Sequence, residues 1–236
     1  MGSVYDNARS VLERAQNAAL RAGHQVTLVA ASKMNDAARV REAFDAGIRA
    51  FGENRAQELE EKYRAGAYEG ASLHFIGHLQ KNKVKSVVGK ADLIESVDSA
   101  ELLGLIAQRA AALGIVQRVL LEVNIGGEAS KTGAPAEEIP RMAEAAGDLP
   151  GIQVLGLMTI PPICGQKEKT LRYFQETRNL FVDMSGKKYD NVTMSILSMG
   201  MSADFEEAIL CGANMVRVGS AIFGRRIYPG ESTKIL

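Results

Sequence analysis

The feature that most constrains this chain is an alternation of short apolar runs with stretches of helical spacing. The runs cover residues 26–31, 50–52, 73–77, 93–95, 119–123, 153–158, 193–197 and 215–218. Between them, apolar side chains recur at helical intervals over 37–46, 56–65, 99–113, 136–146, 171–184 and 203–211. An amphipathic helix is expected ahead of the first run, over 4–22, through Val4, Ala8, Val11, Leu12, Ala15 and Leu20, with Gly23 to stop it. Asp98-Ser99-Ala100-Glu101 has the spacing of a capping box, and Gly47, Gly114 and Gly212 follow the helical stretches as terminators. Alternation of this kind means parallel strands joined by crossover helices. Eight units close a barrel, where five or six would make a doubly wound open sheet. The expected fold is therefore α/β, a single TIM-type (β/α)₈ barrel with an additional N-terminal helix, spanning residues 1–236 as one domain.

Composition narrows the function classes. Lys+Arg and Asp+Glu are both 28, for a net charge of +0, and 46% of the residues are hydrophobic. A neutral surface does not suit phosphate-backbone binding, so no nucleic-acid partner is expected, although Lys81, Lys83 and Lys85 form a short basic run. Cys164 and Cys211 are too few for a disulfide framework, and no apolar run reaches the roughly 18 residues of a membrane helix. A cytoplasmic protein with no membrane partner is the expectation.

In a barrel, the chemistry belongs to the loops that follow the strands. The first run ends at Ser32-Lys33. Two readings stand for Lys33: a solvated lysine that opens a loop, or an amine at the barrel mouth, partly withdrawn from water, that attacks an aldehyde. The third run carries His74, either hydrogen-bonded inside the barrel or in contact with a ligand. Neither an HExxH pattern nor a Cys-x-x-Cys pair occurs, so no metal motif is present. After the seventh run, Ser202 is an expected N-cap whose helix start offers amides to an anion. After the eighth, Arg217-Val218 leads to Gly219, which admits a close backbone approach, and to Ser220. These two loops read either as ordinary caps or as a phosphate cradle of the kind that barrels place after strands seven and eight. No GxxxxGK[ST] or GxGxxG motif competes. A lysine facing an anion cradle suits an aldehyde that bears a phosphate.

The ordered motifs resemble those of the pyridoxal phosphate homeostasis proteins. They are Ala31-Ser32-Lys33, Phe51-Gly52-Glu53-Asn54, His74-Phe75-Ile76-Gly77, Lys131-Thr132-Gly133, Gly156-Leu157-Met158, Leu197-Ser198-Met199-Gly200-Met201-Ser202 and Val216-Arg217-Val218-Gly219-Ser220. The resemblance runs from about residue 8 to residue 228. It implies the fold type III pyridoxal phosphate barrel of the alanine racemase N-terminal domain, with pyridoxal 5′-phosphate (PLP) held by Lys33 as a Schiff base. It also implies phosphate against Ser202, Gly219 and Ser220, Arg217 facing the pyridine nitrogen, Asn54 near the ring, and His74 and Met158 as supporting positions. The implied role is control of cellular vitamin B6 without catalytic turnover; the alternative is a weak PLP-dependent amino-acid racemase. An arginine beside the pyridine nitrogen disfavours its protonation and weakens the ring as an electron sink, which favours the carrier. Racemases of this fold draw a second acid/base from a β domain, and the sequence stops at Leu236, soon after the eighth run. A monomer that can pass its cofactor transiently to apo-enzymes is implied. Four positions depart from the usual family pattern: Met34, Asn35, Arg55 and Ser220.

Overall fold

A computed structural model describes residues 2–128, 131–162 and 165–224; Cys164 lies outside the described residues. All eight apolar runs are strands: β1 (Thr27–Ala31), β2 (Ala50–Glu53), β3 (Ser72–Phe75), β4 (Leu93–Val97), β5 (Gln117–Val123), β6 (Ile152–Thr159), β7 (Val192–Ser198) and β8 (Met215–Val218). They form a closed barrel in chain order, each parallel to its neighbours, and β8 closes on β1 with Val29 opposite Arg217.

The helices are α1 (Val4–Ala22), α2 (Ala37–Asp45), α3 (Ala56–Arg64), α4 (Val84–Val87), α5 (Ala100–Ala112), α6 (Ile139–Gly147), α7 (Lys167–Ser185), α8 (Phe205–Leu210) and α9 (Ser220–Phe223). In α1, Val4, Ala8, Val11, Ala15, Ala18 and Ala19 make the buried stripe that packs on α2, α8 and α9. Ser3 and Asp6 form a reciprocal capping box at its start, and Gly23, at φ 75°, ends it. Leu20, expected on the apolar face, is instead 79% exposed, because the stripe passes through Ala18 and Ala19 on the last turn.

Two caps differ from the expected ones. Ser99 does cap α5, but its hydroxyl accepts from Leu102 N–H at the third helical position, so Glu101 is one residue early for a capping box and pairs with Lys81. Ser202 is not the cap of α8, which begins only at Phe205 with Asp204 ahead of it; the Asp204 carboxylate accepts from Met201 N–H at 2.7 Å.

The barrel interior has two kinds of layer. Val29, Ala50, Leu93, Leu120, Met158 and Met215 form an apolar cluster separate from the larger core between strands and helices. Toward the C-terminal ends of the strands, His74, Glu95, Ser198 and Arg217 are buried and bonded to one another. Barrel interiors are usually filled by branched aliphatics, so this polar layer marks the end where chemistry is expected.

The closure between β7 and β8 is thin. Their register holds a single pair, Ser198 opposite Met215. Asn214 reinforces it with its side chain, accepting from Leu197 N–H at 2.8 Å and donating to Ser195 O at 2.7 Å.

Candidate functional site

Lys33 stands where β1 ends, on a short stretch of backbone held from both sides. Ser32 N–H donates to Gly52 O at 3.0 Å, and the Ser32 hydroxyl donates to Glu53 Oε1 at 2.6 Å. Lys62 of α3 reaches back to donate to Ser32 O at 2.8 Å. Beyond Lys33, Met34 N–H donates to Glu58 Oε2 at 2.7 Å, and Asn35 Nδ2 donates to Lys33 O at 3.0 Å. Met34 adopts φ 62°, a left-handed turn that sterically suits glycine. The usual family pattern is therefore changed here without loosening the loop: Met34 makes the turn, and Asn35 secures the carbonyl of Lys33.

Beside Lys33, because β8 adjoins β1, the loops after β7 and β8 are fastened together by Ser202. Its hydroxyl accepts from Gly219 N–H at 3.1 Å and from Ala221 N–H at 3.3 Å. Freed from capping α8, Ser202 faces the first turn of α9 instead. Lys33, Asn35, Asn54, Ser202, Arg217, Gly219 and Ser220 line one cleft of ≈ 290 Å³ at the C-terminal mouth, with Ile76 and Ile160 as apolar wall. That volume lies near the lower end of small-molecule pockets. Asn54 Oδ1 is buried with no hydrogen-bond partner, an acceptor left for a ligand or an ordered water.

Arg217 is buried and gives the cleft its fixed positive charge. Its NH1 donates to the Ser198 hydroxyl at 2.5 Å, its NH2 donates to Thr159 O at 2.8 Å, and Glu95 Oε2 lies 3.7 Å from NH1. Burial acts to lower the Arg217 pKa, against the carboxylates of Glu95, Glu122 and Asp204, which act to raise it. Burial likewise pushes the carboxyls of Glu122 and Asp204 up.

Of the residues singled out from sequence, Lys33, Asn54, Ser202, Arg217, Gly219 and Ser220 are brought together in this cleft. His74 and Met158 are not among its lining. His74 is buried and hydrogen-bonded to Glu95 through Nδ1 at 2.7 Å, and Met158 lies in the interior apolar cluster. Arg55 is exposed at the neighbouring loop, 3.6 Å from Glu58, outside the cleft. Sequence reasoning missed Glu95, Ser198 and Thr159, which hold Arg217. A charged residue, Glu95, at the end of the apolar run 93–95 was the available signal. A larger cavity of ≈ 470 Å³ opens at the opposite end, around Leu28, Leu93, Leu155 and Met215; it lacks the lysine and the paired serines.

A family profile described as the alanine racemase N-terminal domain matches residues 6–227. The pyridoxal phosphate homeostasis protein of Aquifex aeolicus is 45% identical over 221 residues, covering 92% of this chain and 96% of that one. The chain belongs to the pyridoxal phosphate homeostasis protein family. Among solved structures similar to this family member is PipY of Synechococcus elongatus with PLP bound, at 33% identity and a TM-score of 0.75, covering 84% of this chain and 92% of that one. The barrel also resembles an alanine racemase of Clostridium difficile at 16% identity and a TM-score of 0.71, a likeness of fold alone.

Proposed function

We propose that this chain holds pyridoxal 5′-phosphate through Lys33 and serves vitamin B6 homeostasis as a carrier rather than as an enzyme. The single observation behind the reading is that Lys33, buried Arg217 and the Ser202–Gly219–Ser220 turn line one cleft together. The residues fit the cofactor. Lys33 would hold it covalently through Nζ, and the bound group would supply an electron-withdrawing ring. Ser202, Gly219 and Ser220 would supply hydroxyls and closely approaching backbone for the phosphate, Arg217 would serve the pyridine nitrogen, and Asn54 would offer its unpartnered oxygen to the ring. His74 and Met158 support the site from below. The PLP-bound relative PipY and the names of the curated relatives support the same cofactor.

Arg217 also carries the argument for a carrier. A guanidinium beside the pyridine nitrogen repels a proton there, so the ring withdraws electrons weakly. We further place the protein in the cytoplasm, as a monomer that passes PLP to apo-enzymes. In support, among the described residues no helix is long and apolar enough to cross a membrane, and the charge balance is neutral.

The test is an absorbance spectrum of purified protein, followed by borohydride reduction and mapping of the modified residue. The expected adduct sits on Lys33 and is lost in Lys33→Ala. A protein that takes up no cofactor after reconstitution, or an adduct mapped elsewhere, overturns the reading. Sustained inversion of an amino acid above the rate of free cofactor overturns the carrier assignment.

A further inference from the structure

Glu95 is fully buried in a strand that otherwise reads Leu93, Ile94, Ser96 and Val97. Removing a carboxylate from water costs several kcal/mol, and an aliphatic residue would fill that place at no such cost. Both Glu95 oxygens are engaged. Oε1 accepts from His74 Nδ1 at 2.7 Å, and Oε2 accepts from the Ser198 hydroxyl at 2.6 Å. The same Ser198 oxygen accepts from Arg217 NH1 at 2.5 Å, and Thr159 O holds the other terminal nitrogen at 2.8 Å. Of His74, Glu95, Ser198 and Arg217, Arg217 alone also lines the cleft.

We infer that Glu95 is a positioning residue for the cofactor site: acting through Ser198, it fixes the Arg217 guanidinium against the cleft and offsets its charge, and so sets the proton affinity of the cofactor–lysine link. This rests on the PLP reading above. His74 faces Glu95 from β3, and Arg217 faces it from β8. Arg217 is also influenced by Glu122 of β5 and by Asp204 ahead of α8, while Lys33 shares the cleft from the end of β1. Burial pushes Glu122 and Asp204 toward their neutral forms. Burial pushes Glu95 the same way, but the hydrogen bond and charge of His74, the charge of Arg217 and the Ser198 hydroxyl outweigh it and hold that carboxyl below its usual range. Glu95 is thus the carboxylate that keeps its charge beside Arg217.

The sign follows from Coulomb's law. Glu95→Gln keeps the shape and one acceptor oxygen but removes the negative charge. Arg217 is then uncompensated, and a proton on the cofactor–lysine link is disfavoured. Ser198→Ala does the opposite: without the relay, Arg217 is drawn toward Glu95 and away from the cleft.

The experiment titrates the visible absorbance of reconstituted wild type, Glu95→Gln, Glu95→Asp and Ser198→Ala, with borohydride-trapped occupancy of Lys33 and urea midpoints measured beside it. The expected pH midpoint falls by about half a unit or more in Glu95→Gln, a threefold or larger change in proton affinity. It recovers at least half of that shift in Glu95→Asp and rises in Ser198→Ala, all with Lys33 still modified. A purely structural Glu95 would lower the urea midpoint and leave the titration in place, and that result overturns the inference. If Glu95→Gln does not fold, Ser198→Ala decides: an upward midpoint supports the inference and an unmoved one overturns it. A wild type without cofactor overturns the PLP reading and this inference with it, whereas a loaded wild type with unmoved variants overturns this inference alone.

Discussion

Lys62 Nζ of α3 lies 2.6 Å from Glu53 Oε1 at the end of β2, and the same ammonium donates to the carbonyl of Ser32, the residue before Lys33. Tyr68 OH and the Ser32 hydroxyl complete the shell around that oxygen at 2.8 and 2.6 Å, and burial pushes the Tyr68 phenol well up, so it stays a donor. A helix on the outside of the barrel is thereby tied through the sheet to the lysine loop.

Removing one partner of a buried ion pair strands the other. Lys62→Met is expected to cost about 3 kcal/mol of folding stability, measured by urea unfolding at neutral pH. The double variant Lys62→Met/Glu53→Gln should recover part of that loss. A double variant no more stable than Lys62→Met would show that the ammonium acts through packing rather than through its charge.

Ser202→Ala removes the common acceptor of two amides, Gly219 N–H and Ala221 N–H. Each donor left without a partner costs about 1–3 kcal/mol where it is shielded from water. PLP retention measured by dialysis should weaken at least tenfold, while the borohydride adduct on Lys33 still forms at saturating cofactor. Unchanged retention would remove Ser202 from the phosphate side of the site.

Met34 holds φ 62° with its side chain 44% exposed, so glycine there gives up little burial. Left-handed backbone costs a side-chain-bearing residue about 1–2 kcal/mol, partly offset by the entropy that glycine loses on folding. Met34→Gly should therefore raise the urea midpoint modestly, and Met34→Val should lower it. A destabilised glycine variant would mean that the methionine side chain packs more than its exposure indicates.

The carboxyls of Glu122 and Glu95 are displaced in opposite directions, and so their pH signatures differ. Burial holds Glu122 above its usual value of 4.5, with Asp98 adding to the shift against the Thr132 hydrogen bond. A folded-state pKa raised above the unfolded one means that stability is lost as pH rises through that interval. Glu122→Gln should thus gain most over wild type at pH 8 and least at pH 4. For Glu95, whose folded value is depressed, the contribution is present above the unfolded pKa and disappears as pH falls through the lower folded value. Urea titrations of wild type and both glutamine variants across that range check the two signs together.

The barrel was legible because its signal is local. Each of the eight runs needs only a few apolar residues before a helical stretch, and all eight are strands, with ends moved by at most two residues. Lys33, Ser202 and Gly219 were legible for a related reason: loops after barrel strands must converge on one mouth. Contacts between side chains distant in sequence were not. Ser202 has the composition of a helix cap, yet it serves Gly219, 17 residues later, since α8 starts at Phe205. Glu95 and Ser198 are 103 residues apart, and only closure of the barrel makes them neighbours. Leu20 followed the apolar pattern of α1 and still faces solvent, because a short run of alanines already fills the groove beneath.

Asn214 bridges β7 and β8 with its side-chain amide beside the backbone bonds between them, and Ser202 stitches the loops that follow the same two strands. The loops after β7 and β8 are therefore clasped to each other, and the clasp borders the cleft. A molecule that bonds to both loops would favour the clasped arrangement, and by reciprocity the clasped arrangement would favour the molecule. Occupancy should then be written around the whole circumference, with the amides of β7 and β8 the first to slow their exchange with solvent as the barrel is loaded.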